Sequence, residues 1–496
     1  MPPPYASAAP STTAAPPGAG QPEGCSGRAR WRQALRDRLR ERPQPLLVWD
    51  DAATPGASLW VGARHWVETF RKVGLRPGDR LVVALPPGAP FVQVLVAALW
   101  EGITLAPVAP DANAERVLGE LDARAAVVAS AAAGVPASVG MWVPDGVAGP
   151  VQTLPPPRTA AEPPTEDVCF LLRTSGTEGA PRWVALSDAN VFAVLGSHRP
   201  HLGLSESACV LSGLPWHHAF GLVLELLPAL LAGAEIVRVQ APRDPEALLA
   251  AFDTWSPTHF SAVPLTVRRL LGAGGRARLH GLAGGIVGGA PIPPDVAEGL
   301  RGSALRVGYG QTEAGPGIAL GEPGHFVPGY LGHPLGCTVR LASRGEVHFR
   351  GPNAHVGTWT AQHYRALDPD RWVATGDQAC PAAHDPTAFT FAGRLSDSFK
   401  LSNGRFVQAG RAEATLRATV PGLLDAVLCT LDGEHLALAL LMPAGAVPPA
   451  ASTLRAALGP LGDRLTRAEV VAPETWVQHS KGTPDRAAIA HLLTSA

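Results

Sequence analysis

The sequence predicts an α/β chain: a large N-terminal domain of parallel-sheet βαβ subdomains with a small β unit, followed by a small α+β C-terminal domain. Three observations predict it. Between residues 45 and 107, short apolar runs alternate with longer amphipathic ones, the rhythm of βαβ units. From Gly332 the pattern changes to short runs with tight glycine turns and β-branched residues. After GRLSD, near Asp397, a last segment of about 100 residues mixes the two patterns, a size suited to a separate small domain.

The elements follow in order. Trp31, Ala34, Leu35 and Leu39 recur at helical spacing, and Pro43 ends the run. PLLVWD reads as a strand, Val61 to Val73 as a helix stopped by Gly74, and RLVVALP as a strand. FVQVLVAALWEG is a helix closed by Gly102, and TLAPVAP is another strand. The Pro-, Gly- and Thr-rich stretch 143–167 reads as an exposed connection. Beyond it GLVLELLPALLAG and PEALLAAF are helical, while AEIVRVQ and THFSAVP are strand-like. HPLGCTVRLASRGEVHFRGPN suggests a small antiparallel unit. These patterns divide the chain into a disordered Ala/Pro-rich tail (1–27), a large domain (28–393) and a small C-terminal domain (394–496).

Composition limits the function. At 496 residues, with 46% hydrophobic and 17% charged, the chain can bury a large core. A formal net charge of −1 gives no global field for nucleic acid or an anionic membrane. The six cysteines are scattered without any CxxC, which predicts buried thiols in a cytoplasmic protein rather than a disulfide framework or a zinc site. No stretch approaches the roughly 20 apolar residues of a membrane span. The longest, Leu222 to Ala232, carries Glu225 and Pro228 and reads as a buried helix. The N-terminal tail has neither a basic n-region nor an apolar h-region.

The segment Leu171 to Asn190 carries most of the chemistry. A strand-like run leads into Thr174, Ser175, Gly176, Thr177, Glu178 and Gly179. Hydroxyls and backbone N–H groups of such a loop can wrap a polyphosphate, and Arg182 can add a charge-assisted contact. The spacing is not GxxxxGK[ST], and a Ser/Thr/Gly loop alone can equally be a surface turn.

Together with four later motifs, this loop resembles that of the adenylate-forming (AMP-binding) superfamily, which includes acyl- and aryl-CoA synthetases and acyl-carrier-protein ligases. In LPWHHAFGL, Pro215, His218 and Gly221 fit one family pattern, and His217 stands where relatives usually have an aromatic residue. IVGGAPIPPDV supplies Gly288, Gly289 and Ala290. GYGQTEAG supplies Tyr309, Gly310, Gln311, Thr312 and Glu313. The last motif joins WVATGD to FAGRLSD, with Asp377, Arg394 and Asp397. The resemblance spans roughly residues 28–490.

It implies a two-step ligase using ATP and Mg²⁺. The acid becomes acyl-AMP with release of pyrophosphate, and the acyl group passes to the thiol of CoA or of a carrier protein's phosphopantetheine. It also implies roles. His218 lies beside the acid carboxylate, and Gly288, Gly289 and Ala290 pack on adenine and border the acyl pocket. Tyr309 stacks on adenine, Thr312 bonds the α-phosphate, and Glu313 holds Mg²⁺. Asp377 accepts the ribose hydroxyls and Arg394 contacts ribose. Asp397 is the hinge about which a mobile small domain rotates between half-reactions, and Gly404 lets pantetheine pass. Ala262, Val263, Gly288 and the run 314–317 border the acyl group. The partners implied are a small carboxylic acid and, on one branch, a carrier protein, with neither nucleic acid nor a transmembrane segment. A phenylalanine–aspartate pair that marks amino-acid substrates is missing, which favours a fatty or aryl acid.

The chain departs from the pattern at several points. Glu178 replaces a hydroxyl residue, Arg182 a lysine, and Trp183 a glycine, which suggests an altered loop path. In HSKGTPDRAAI, Gly482 and Arg486 match, but Thr483 stands at the family's lysine, leaving Lys481 as the candidate for that role. An alternative reading is therefore a catalytically impaired member that binds nucleotide or acyl-adenylate and acts through a partner.

Overall fold

The computed structural model describes residues 27–41, 45–49, 52–129, 140–142, 168–174, 182–239, 241–360, 363–402, 406–430, 432–443, 445–477 and 484–495. The stretch 143–167, Ser175 to Gly179, Gly404, Lys481 and Thr483 lie outside the described residues.

The molecule is a mixed α/β structure with three large sheets and a smaller C-terminal set. The first sheet has eight strands, in the order His363–Ala366, Gly357–Thr360, Arg182–Ser187, Val168–Thr174, Thr104–Pro107, Arg80–Ala84, Ala125–Val128 and Gly140–Trp142. It is parallel from Val168–Thr174 onward and antiparallel at the other end. Its central strands, Thr104–Pro107, Arg80–Ala84 and Ala125–Val128, are buried on both faces. Leu81 and Val83 join the core under the helices Gly56–Val73 and Ala89–Glu101. Val82 and Ala84 join a second core with Trp183 and Trp359. That two-sided burial explains the continuous apolar run in RLVVALP.

The second sheet has five strands, His259–Ser261, Cys209–Ser212, Glu235–Arg238, Pro45–Trp49 and Ala52–Pro55, parallel except for the last pair. The third begins with the parallel pair Ile286–Gly288 and Arg306–Tyr309 and continues antiparallel through Ala319–Leu320, Tyr330–Pro334, Asp385–Arg394, Val373–Ala382, Glu346–Arg350 and Thr338–Leu341. The expected antiparallel unit is thus not self-contained. It extends a sheet that a parallel pair begins, and Gly357–Thr360 with His363–Ala366 leave it to edge the first sheet.

The C-terminal part pairs Ser398–Lys400 with Phe406–Gln408. A three-stranded sheet, Asp425–Thr430, Leu436–Leu441 and Leu465–Val471, then packs with helices Ala409–Thr419, Ala451–Leu458 and Arg486–Ser495 around its own apolar cores.

Two local expectations change, and a third falls on residues outside those described. GLVLELLPALLAG begins as a π-helix, Phe220–Leu226, before the α-helix Leu227–Ala232. The altered loop path expected from Trp183 lies outside the described residues, but the side chain itself is placed. Strand alternation turns it inward, where it is 1% exposed and its indole donates to Glu120 Oε2 at 3.2 Å. Of the cysteines, Cys169 and Cys209 are buried, but Cys380 is exposed.

Candidate functional site

The site lies where the third sheet's parallel pair meets the ends of the first sheet's antiparallel hairpin. Val168–Thr174 and Arg182–Ser187 pair in register up to Thr174 opposite Arg182, and the Thr174 hydroxyl donates to the Arg182 carbonyl at 3.3 Å. The loop between them therefore starts and ends at fixed, adjacent points. Arg182 itself is exposed.

Gly288 and Gly308 stand opposite each other in the parallel pair, just before Tyr309. Gly310 follows in a hairpin so tight that a Cβ there would lie 1.6 Å from the Pro316 carbonyl oxygen. Only glycine fits. The turn delivers Gln311, Thr312 and Glu313, all half-buried. His355 N–H donates to the Glu313 carbonyl at 2.9 Å. Burial lowers the affinity of the His355 imidazole for a proton. The Glu313 carboxylate opposes that shift and Arg182 reinforces it, so both charges act on His355. The His355 Nδ1–H donates to the Gly357 carbonyl, 2.9 Å away. Arg182, His355 and Glu313 thus come together. His355 carries no motif signal, and only the fold brings it here.

Asp377 is 4% exposed and sits opposite Arg394 in a hairpin. The Tyr309 hydroxyl donates to its Oδ2 at 3.0 Å. Arg394 Nε lies 3.0 Å from Oδ1, an ionic contact, yet no donor is aligned for a hydrogen bond to that oxygen. Burial pushes the carboxyl up from its ordinary value, and Arg394 and Tyr309 pull it back. A buried carboxylate oxygen lacking a hydrogen bond fits a ligand hydroxyl. Tyr309 is thus brought to Asp377 and Arg394 as one cluster. Its hydroxyl is committed to Asp377, which leaves the ring for stacking.

His218 belongs to a tight turn before the π-helix. Its N–H donates to the Pro215 carbonyl at 3.2 Å, and its own carbonyl accepts from Leu222 N–H at 2.9 Å. A Cβ on Gly221 would come within 2.4 Å of that same Pro215 oxygen, which accounts for the Pro–His–Gly spacing. His218 is exposed, with its ring centroid 4.4 Å from that of His217. Burial lowers His217 to about 4, so this imidazole is neutral at pH 7. Beyond His218, a Cβ built on Gly289 would meet Val263 Cγ1 at 3.7 Å and Phe220 Cδ1 at 4.0 Å, both ordinary contacts. Phe220 and Val263 therefore flank Gly289 with apolar side chains, and the neighbouring Ala290 is half-buried. Sequence reasoning missed Phe220, although its place two residues after His218 was a usable signal.

Among the described residues, no three His, Cys, Asp or Glu side chains gather as a metal cluster. One half-buried carboxylate, Glu313, suits Mg²⁺, which keeps waters and takes phosphate oxygens as further ligands. Nor is any described helix long and apolar enough to cross a membrane.

Known proteins resemble the chain in sequence and in fold. The profile of the AMP-binding enzyme family matches residues 57–357. A feruloyl-CoA synthase from Amycolatopsis sp is 30% identical over 348 residues, which cover 62% of this chain and 67% of the relative. A benzoate–CoA ligase from Thauera aromatica is 27% identical over 405 residues, 73% of this chain and 75% of that protein. The crystal structure of a benzoate CoA ligase from Burkholderia xenovorans LB400 superposes with a TM-score of 0.74 at 21% identity, covering 92% of this chain and 99% of that one.

Proposed function

The chain belongs to the AMP-binding enzyme family and is an AMP-forming acid–thiol ligase, and we propose that its acid is aromatic and its acceptor is CoA. The observation that carries the aromatic reading is that Phe220, two residues after His218, and Val263 both flank Gly289. A ring lying over a glycine, flanked by an aromatic and a β-branched side chain, packs there without ordering a long alkyl chain. The feruloyl- and benzoate-directed relatives support the same choice, and the impaired alternative draws no support from them.

In this reading Asp377 Oδ1 accepts a ribose hydroxyl, Arg394 lies along the ribose, and the Tyr309 ring stacks on adenine beside Gly288. The loop Thr174 to Gly179, with Arg182, holds the β- and γ-phosphates. Thr312 donates to the α-phosphate, and Glu313 would hold Mg²⁺, which when bound offsets the charge that builds as pyrophosphate departs. His218 orients the acid carboxylate, whose oxygen bonds to the α-phosphorus as the bond to pyrophosphate breaks. Lys481 offsets the repulsion between the two anions. The small C-terminal domain, residues 394–496, then turns about Asp397. The CoA sulfur bonds to the acyl carbon, the acyl–oxygen bond to AMP breaks, and the thiol proton is lost to solvent.

ATP–pyrophosphate exchange with ferulate, benzoate and octanoate as separate acids tests the proposal. It predicts exchange with at least one aromatic acid and, on adding CoA, net formation of the aryl thioester. Exchange with octanoate alone would overturn the aromatic reading.

A further inference from the structure

Behind the His217–His218 turn lies a fully enclosed ionic network that the two-step chemistry does not use. Ser212, at the end of the strand Cys209–Ser212, is its hub. Its hydroxyl donates to Glu225 Oε1 at 2.5 Å and accepts from Trp216 Nε1 at 3.0 Å and Arg238 Nη1 at 3.1 Å. One donation and two acceptances use the full capacity of the hydroxyl. Arg238 Nη1 also donates to the Leu214 carbonyl, and the guanidinium stands 5.6 Å from the Trp216 ring centroid. Glu225 projects from the π-helix Phe220–Leu226, and the N–H groups of Gly213 and Leu214 face its carboxyl. Every one of these side chains is buried: Ser212 0%, Trp216 0%, Glu225 4% and Arg238 6% exposed.

The network therefore grips the segment 213–219 from three sides. The ends of two strands supply Ser212 and Arg238, and the π-helix supplies Glu225. Between the grips, the chain must present His217, His218 and, two residues later, Phe220. The π geometry contributes directly, since the wider turn is what places Glu225 back over Gly213 and Leu214. Apolar side chains of similar volume commonly stabilise a core as well as a buried ion pair does. What this Ser212-bridged arrangement adds is direction, because one hydroxyl meets Glu225 and Arg238 together only along this backbone path.

We propose that Ser212, Glu225 and Arg238 are positioning residues of the acid half-site. They fix the path of 213–219 and so set where His218 meets the acid carboxylate and where Phe220 meets its ring. This inference rests on the acid-activation reading above for its catalytic consequence, though not for its structural one. It predicts a split: loosening the network weakens the acid's half of the site and leaves the nucleotide's half, built on Tyr309, Asp377 and Arg394, as it was.

Two variants test it in the full-length protein. The double replacement Glu225→Met with Arg238→Met removes both charges together and so avoids stranding one in the core. Ser212→Ala removes only the hub through which Glu225 and Arg238 are joined and leaves both side chains in place, a smaller change should the double replacement fail to fold. Hydrogen–deuterium exchange is read over 213–221 and over the hairpin containing Asp377 and Arg394. ATP–pyrophosphate exchange is read with benzoate and ferulate as probe acids. The expected result is exchange at 213–221 at least tenfold faster with the Asp377 hairpin unchanged. The KM for the acid should rise at least tenfold while the KM for ATP stays within twofold. Unchanged protection at 213–221 in a folded variant, or equal rises in both KM values, would overturn the proposal. If the wild-type protein shows no pyrophosphate exchange with either acid, the aromatic reading fails. The protection measurement then decides the positioning claim by itself.

Discussion

Asp377 combines near-complete burial with one oxygen committed to Tyr309 and another facing Arg394 off the line of a hydrogen bond. Removing its charge should therefore be felt by the nucleotide first. Asp377→Asn is expected to raise the KM for ATP by about 10- to 100-fold, the scale of losing a charge-assisted hydrogen bond, and steady-state kinetics at fixed acid would show it. The pH dependence has a definite sign. Because burial raises the carboxyl above its ordinary value, the acceptor is lost to protonation at a higher pH than an exposed aspartate would be. The KM for ATP should then climb on acidification in the wild type and stay flat in the Asn variant over the same range. At the other end of the chain, Lys481→Ala is expected to slow acyl-AMP formation by about 100- to 1000-fold, as for removal of one preorganised electrostatic contact. Thioester formation from supplied acyl-AMP should continue. Equal loss in both half-reactions would remove Lys481 from the adenylation step.

At the scale of elements, the hairpin of GYGQTEAG depends on Gly310 more than on any polar group within it. Since a Cβ there would strike backbone, not a movable side chain, Gly310→Ala should lower kcat/KM by at least 100-fold in exchange assays while the rest of the fold persists by circular dichroism. Near-wild-type activity would show that the turn can open. Such turns, and the helices and strands flanking them, were legible in the sequence because they are local. Helical spacing from Trp31 to Leu39, the apolar run Arg80–Ala84 and the glycines closing Gly56–Val73 and Ala89–Glu101 each act within a few residues. The Tyr309, Asp377 and Arg394 cluster was legible as separate motifs only through a family resemblance, and their contact needed the sheet. What no local pattern could reveal is the partner set of a side chain. Glu225 looked like a charge interrupting an apolar helix, yet it is the acceptor for Ser212 across 13 residues of sequence. His355 reaches Glu313 only because the strand Gly357–Thr360 crosses to the first sheet. The π-helix escaped for a related reason, since apolar periodicity in so short a run does not separate i+4 from i+5 bonding.

At the scale of the molecule, stability and catalysis make separable demands. His198, 1% exposed, is held by burial at about 4 against 6.5 in an unfolded chain. A base with a depressed folded value binds fewer protons when native, so its contribution is present above pH 6.5 and is lost as pH falls towards 4. Comparing urea denaturation at pH 6.5 and 4.5, the wild type should lose about 2 kcal/mol more than a His198→Gln variant. An identical loss in both would assign the acid lability elsewhere. In the C-terminal part, Arg486 forms a two-pronged pair with buried Glu413 at 2.8 and 2.5 Å and approaches Asp397 at 3.9 Å, while Asp485 N–H donates to the Val477 carbonyl at 2.9 Å. The flanks of the segment bearing Lys481 are thereby tied to the residue proposed as the hinge, a route by which rotation of the small part could carry that lysine towards and away from the acid. The aromatic-acid account is tested most directly by mass spectrometry of the wild-type protein mixed with ATP, Mg²⁺ and a pool of aromatic and fatty acids, sampled before and after CoA is added. The account predicts an aryl-AMP mass that is replaced by the matching aryl-CoA. A fatty acyl-AMP in its place, or no adenylate from a protein that still binds ATP, would contradict it.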